Sequence, residues 1–178
     1  MRRRLFLGSL LGAAAGGLPL ARALAAAAAS PVAGDLPALR LGGGETVLTR
    51  AAVRDFQAGL RGALLMAGQD GYDRARRVWN GMIDRRPALI AQCSGPADVV
   101  RSVQFATAND LLVAVRSGGH STSGQSVCDG GLMIDLSGMH GVRVDPTAKR
   151  AWVPGGSLLG ELDRESQFFG LATTAGTV

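Results

Sequence analysis

The sequence predicts an α+β domain rather than a doubly wound sheet, and three observations predict it. A strand, a helix and a second strand fit into about 30 residues from Pro87 onward. A glycine-rich loop follows the second strand directly, and a strand–turn–strand then precedes one more helix. The first strand is the apolar run Pro87–Cys93, ended by Ser94-Gly95-Pro96, with Ser94 as the candidate helix cap. Asp98 suits the positive first turn of that helix. Val99, Val100, Val103 and Ala106 share a helical face, and Asn109 is placed to end the helix in the left-handed region. Leu111–Val115 lacks polar alternation, as a parallel strand covered on both sides does. Leu132–Leu136 supplies a third strand beyond the glycine-rich loop. Val142–Asp145 and Arg150–Val153 then flank a turn for which Pro146 is pre-set. Ser157 is expected to cap a last helix with Leu158, Leu159, Leu162 and Phe169 inward and Gly170 as its stop.

Upstream of Pro87 the signals are weaker. Residues 26–49 are rich in Ala, Gly and Pro without a sustained period, which reads as a tether. A weak helix is expected over Ala51–Leu65, and Gly71–Asn80 mixes charge with Tyr72 and Trp79 as an arm packed on the domain. The resulting division is 1–29 export signal, 30–70 linker and lead-in arm, and 71–178 one folded domain.

The formal charge of +5 comes from 19 basic and 14 acidic residues in a chain of 178. Arg2, Arg3, Arg4 and Arg22 lie in the first segment without acids, and without them 15 basic residues face 14 acidic ones. The remainder carries no basic stripe with interleaved aromatics, so nucleic-acid binding is set aside. The first 29 residues run from a basic start through the apolar Leu5–Leu20 to small residues around Ala21-Arg22-Ala23 and Ala23-Leu24-Ala25. Arg3-Arg4-Leu5-Phe6-Leu7 is similar to a twin-arginine core, which predicts an exported protein, periplasmic or extracellular, touching the membrane only in transit. An uncleaved anchor is the competing reading, although the apolar run falls short of the ~20 residues a spanning helix needs. Cys93 and Cys128 are the only cysteines, and export permits but does not require their pairing.

Arg116-Ser117-Gly118-Gly119-His120-Ser121 carries the chemistry. Small residues at a strand end leave backbone N–H groups uncovered, which suits a diphosphate. His120 is compatible with a cofactor attachment point, a metal ligand, a base or a plain loop residue. Metal binding lacks support, because His140 is the only other histidine and no thiol or carboxylate spacing completes a ligand set. A nucleophile elbow is incomplete, since Ser123 stands where the pattern requires glycine. Asp135 and Ser137 are placed to orient the loop or to cap a strand end, and Trp152 reads as core.

In order along the chain, five stretches resemble the FAD-linked oxidases with a p-cresol-methylhydroxylase-type FAD-binding domain, specifically the berberine-bridge-enzyme-like group. They are Tyr72-Asp73 with Val78–Pro87, then Ala97–Val100, Val115–Ser121, Gly131–Ser137 and Gly170–Val178. The resemblance implies the first subdomain of that fold, with a small parallel βαβ sheet, plus an incomplete second subdomain. It implies that Arg116, Ser117, Gly118, Gly119, His120 and Ser121 wrap the FAD diphosphate and that Gly176 and Thr177 approach the flavin. It further implies covalent attachment of FAD through His120 to the 8α carbon. Doubly attached members carry a cysteine in the later loop where this chain has Val178, so attachment through His120 alone is expected. A small-molecule substrate with an alcohol, sugar or amine carbon and dioxygen as acceptor follow from the same resemblance. No carboxylate or tyrosine here matches a catalytic position of the family. The alternatives are a truncated, non-catalytic remnant and an exported binding module without competent flavin.

Overall fold

A computed structural model describes residues 34–174 and Gly176, all within one structural unit, Pro31–Val178. The expected export signal lies outside the described residues. The segment expected to be a linker is instead largely folded. β1 (Leu36–Leu39) pairs antiparallel with β2 (Glu45–Leu48), burying Ala38 and Leu48 around a turn in which Gly43 and Gly44 take φ of 89° and 84°. Only glycine adopts that left-handed geometry without strain. α1 (Arg50–Gly59) starts where Thr49 Oγ1 accepts from Ala52 N–H at 3.2 Å, and it buries Val53 and Phe56. The expected helix stops at Gly59 because the chain turns into β3 (Ala63–Leu65). α2 (Tyr72–Ala75) buries Tyr72, whose hydroxyl donates to Pro87 O at 2.6 Å.

β4 (Leu89–Gln92), α3 (Pro96–Ala108) and β5 (Val113–Arg116) form the expected βαβ unit. β6 (Leu132–Asp135) inserts between the two strands, giving the order β3–β4–β6–β5 with β3 antiparallel and the other three parallel. Alternation along the strands separates two cores. Leu89, Ala91, Leu132 and Ile134 pack with Val53, Phe56 and Ala106, whereas Ile90 and Met133 pack with Tyr72 and Val127. Phe56 and Phe105 stack at 4.2 Å, joining α1 to α3.

Several local expectations are corrected. Gly95, not Ser94, occupies the cap position of α3, because the Ser94 hydroxyl is bound at 3.0 Å to Asp98. The buried face of α3 is Asp98, Ser102 and Ala106, while Val100 and Val103 are exposed. Asp98 turns inward to accept from Arg61, Gly62 and Ser94 N–H at 2.9 to 3.0 Å, and that rotates the helix away from the face its valines suggest. The left-handed residue after α3 is Asp110, with φ of 51°, rather than Asn109. β5 is an edge strand whose Val113 and Val115 lie on one exposed face while Ala114 is buried on the other, so it is not covered on both sides.

β7 (Arg143–Asp145) and β8 (Arg150–Trp152) make the expected hairpin, with Asp145 Oδ1 accepting from Thr147 and Ala148 N–H inside the turn. Trp152 is half exposed under the Arg143 guanidinium, 4.4 Å from the ring centre, rather than in a core. In α4 (Leu159–Gln167) the cap is Leu158 and not Ser157, since Glu161 Oε2 accepts from Leu158 N–H at 3.0 Å. Leu158, Leu159 and Phe169 are exposed, and only Leu162 and Ser166 are buried. Gly170, at φ of 64°, does terminate the helix, with Leu171 N–H reaching back to Ser166 O.

Burial pushes the Asp98 carboxyl up, but the three backbone N–H groups and the Ser94 hydroxyl outweigh it and hold the group below its ordinary value. A folded value below the unfolded one adds stability that is complete above the unfolded value and is lost as pH falls through the folded one. Asp98→Ala is expected to lower unfolding free energy by about 3 kcal/mol at neutral pH, because it strands the N–H donors of the turn before β3 and of Ser94 ahead of α3. Urea unfolding of both proteins from pH 7 to pH 3 checks this, with the gap between them narrowing in acid.

Candidate functional site

The loop after β5 is positioned by the pairing of β5 with β6. Asp135, 1% exposed at the end of β6, receives Arg116 Nη1 at 3.2 Å and Ser137 N–H at 3.0 Å. Arg116 also donates through Nε to Arg77 O at 3.3 Å, so its guanidinium ties the end of β6 to the segment after α2. The structure therefore gives Arg116 a bracing contact with Asp135, the orienting role considered for that carboxylate. Ser117 Oγ donates to Gly155 O, tying the loop to the stretch before α4. Gly156 packs so closely on the end of β6 that a Cβ there would lie 2.2 Å from Leu136 O.

Gly118 lies beneath the His120 ring, where a Cβ would stand 2.6 Å from Cδ2. Gly119 is buried at φ of 74°, a conformation that favours glycine. Ser121 Oγ accepts from Gln125 N–H at 3.0 Å and so closes the loop on itself. Among the described residues, none of the backbone N–H groups from Ser117 through Ser123 donates to another protein group. A consecutive run of free donors is a cradle for an anion.

Beside the loop opens a cleft of about 740 Å³, within the range of cofactor pockets, lined among others by Ser117, Gly118, His120, Ser157, Leu158 and Gly176. The Ser157 hydroxyl is buried there without a partner in the described structure. Free donors and an orphaned hydroxyl beside one cleft fit a large phosphorylated cofactor. The sequence expectations are thus brought together at Ser117, Gly118, His120 and Gly176, with Gly119 and Ser121 shaping the loop; Thr177 and Val178 lie outside the described residues.

His140 also lines the cleft, and sequence reasoning weighed it only as a missing metal ligand. Its Nδ1 lies 3.1 Å from Glu161 Oε1, and this contact, together with the Leu158 N–H, holds the Glu161 carboxyl below its ordinary value. The cue was the capping acid at the third position of α4, which is visible only once the helix start is known. Among the described residues no group of three or more His, Cys, Asp or Glu side chains could hold a metal ion. Cys93 and Cys128 are both free and buried.

A family model described as "FAD binding domain" matches residues 87–177. The (R)-6-hydroxynicotine oxidase of Paenarthrobacter nicotinovorans is 38% identical over 117 residues, 66% of this chain and 26% of that protein. Berberine bridge enzyme-like 9 of Arabidopsis thaliana is 28% identical over 95 residues, 52% of this chain and 18% of that protein. Among solved structures, a carbohydrate oxidase from Microdochium nivale in complex with a substrate analogue superposes with a TM-score of 0.63 at 28% identity, covering 71% of this chain and 28% of that one. The chain spans about a quarter of the length of the first of these relatives.

Burial raises both thiols, Cys128 to about 11. Neither is expected to react with a thiol-specific reagent at pH 8 in the folded chain, and both are expected to react in denaturant; a colorimetric thiol count under the two conditions checks this.

Proposed function

This chain belongs to the FAD binding domain family, of the kind found in FAD-linked oxidases of the berberine-bridge-like group, and from that premise we propose that it binds FAD through the loop after β5 as part of an exported, oxygen-dependent oxidase. The observation that carries the reading is the run of free N–H groups from Ser117 to Ser123 beside the cleft. In this reading the loop N–H groups hold the diphosphate, as neutral donors that match anionic oxygens at short range. Gly118 makes room for the His120 ring packed over it and Gly119 supplies the left-handed turn, while Ser157 offers its unpartnered hydroxyl to the cofactor. Gly176 borders the cleft, and Thr177 follows it in the same role. Arg116 opens the loop and, through Asp135, holds it in register.

Bound FAD supplies hydride acceptance from a substrate carbon and passes the electrons on to an acceptor. His120 is the expected point of covalent attachment, through a ring nitrogen to the 8α carbon. Its ring is exposed and borders the cleft, which leaves it free to meet a ligand. The substrate proposed is a small molecule oxidised at an alcohol, sugar or amine carbon, with dioxygen as acceptor. The nicotine and carbohydrate oxidases among the relatives support this breadth of substrate class. The twin-arginine-like start supports export to the periplasm or the medium, a route that suits a protein folded around its cofactor.

Intact mass after denaturation, paired with in-gel flavin fluorescence, tests the attachment on wild type and His120→Ala side by side. The wild type is expected to gain one FAD and the variant none; flavin absent from both would remove the flavoprotein reading, and flavin retained covalently in the variant would move the link elsewhere.

A further inference from the structure

The loop's donors are free while several of its carbonyls are held. One segment, residues 77–86, holds two of them, those of Gly119 and Thr122, and two more just past the free donors, those of Gly124 and Val127. Trp79 N–H donates to Gly119 O at 2.8 Å, and Asn80 Nδ2 donates to Thr122 O at 2.9 Å. Arg85 Nη1 donates to Gly124 O and to Val127 O, each at 3.0 Å. Ile83 lies against Gly124 so tightly that a Cβ there would approach within 2.7 Å. The segment is itself fixed: Asn80 Oδ1 accepts from Met82 N–H at 3.1 Å, and Arg76 donates to Arg85 O at 3.2 Å while pairing with Asp73 and Asp84.

In a trans peptide the carbonyl and the following N–H point in opposite directions. The described residues contain no cis peptide bond. Capturing Gly119 O therefore turns the His120 N–H away from the segment, and capturing Thr122 O does the same for the Ser123 N–H. Capturing Gly124 O turns the Gln125 N–H likewise, and that N–H closes the loop on Ser121 Oγ. The geometry points to residues 77–86 as a splint that aims the loop's N–H groups, with Asn80 orienting a donor of the loop and Arg85 fixing the loop's far end, both as positioning residues for a nucleoside diphosphate ligand that neither of them touches. This rests on the FAD reading above and adds how affinity for the diphosphate is set. An unsplinted loop of small residues would have to be ordered by the ligand, at the cost of binding energy.

The test uses the full chain expressed under riboflavin limitation and titrated calorimetrically with ADP and, separately, with riboflavin, which lacks phosphate. Wild type, Asn80→Ala, Arg85→Ala and Arg85→Lys are compared. Loss of one splint contact is expected to weaken ADP binding by about tenfold while leaving riboflavin affinity unchanged. Arg85→Lys is expected not to rescue, since Nη1 reaches both carbonyls with its two hydrogens and a lysine ammonium ends one bond short of that position. Amide hydrogen exchange over Leu132–Asp135 reports on the fold independently and is expected to match wild type. Equal ADP affinity in all four proteins overturns the splint and leaves the FAD reading standing. A parallel fall in both ligands, or faster exchange in β6, also overturns it, by reducing these residues to general stability. A wild type that binds neither ligand overturns the FAD reading together with the splint.

Discussion

A peptide segment that offers successive N–H groups to a ligand keeps that geometry only if some of its carbonyls are held on the other side, and this constraint organises the molecule around the loop after β5. Here the separation is spatial. Carbonyls of Gly119, Thr122, Gly124 and Val127 are taken by residues 79–85, and the N–H groups from Ser117 to Ser123 remain free. The fold supplies the two supports that this separation needs, a parallel sheet to anchor the start of the loop and a preceding arm to grip its length.

Buried carboxylates do the anchoring. Asp135 sits at the end of the fully buried β6 and binds Arg116, which fixes where the loop leaves β5. Asp98 does the equivalent work at the other edge, joining the start of α3 to the turn before β3. Each acid is surrounded by donors, which makes a buried charge tolerable and makes loss of the acid costly. The site thus depends on polar contacts that no hydrophobic pattern announces.

The parallel strands were legible because apolar runs bounded by Ser-Gly-Pro and by the glycine pair have few other readings. The loop was legible for the same reason, as were the β7–β8 turn and the stop at Gly170. The strands of residues 36–65 were not, although the helix between them was, because strands of three and four residues carry too short an alternation to stand out of an Ala- and Gly-rich stretch. The face of α3 was misassigned because Asp98 and Ser102 occupy core positions, the serine hydroxyl donating to Asp98 O at 2.8 Å. The valines of β5 read as covered, because an apolar run carries no signal for which face of a sheet is left bare. Within the site, Ser117, Gly118 and His120 could be read from the motif, whereas Asn80 and Arg85 act through contacts about 40 residues away in sequence, and only the fold brings those together.

The central claim is that the backbone of residues 117–123, rather than a charged side chain, receives the diphosphate. Amide proton–nitrogen spectra of the apo chain titrated with ADP test this directly. The account predicts the largest shifts at Ser117 through Ser123, with the arginine side-chain signals little moved. Shifts concentrated on arginine side chains or elsewhere in the fold, with the loop amides unchanged, would contradict it.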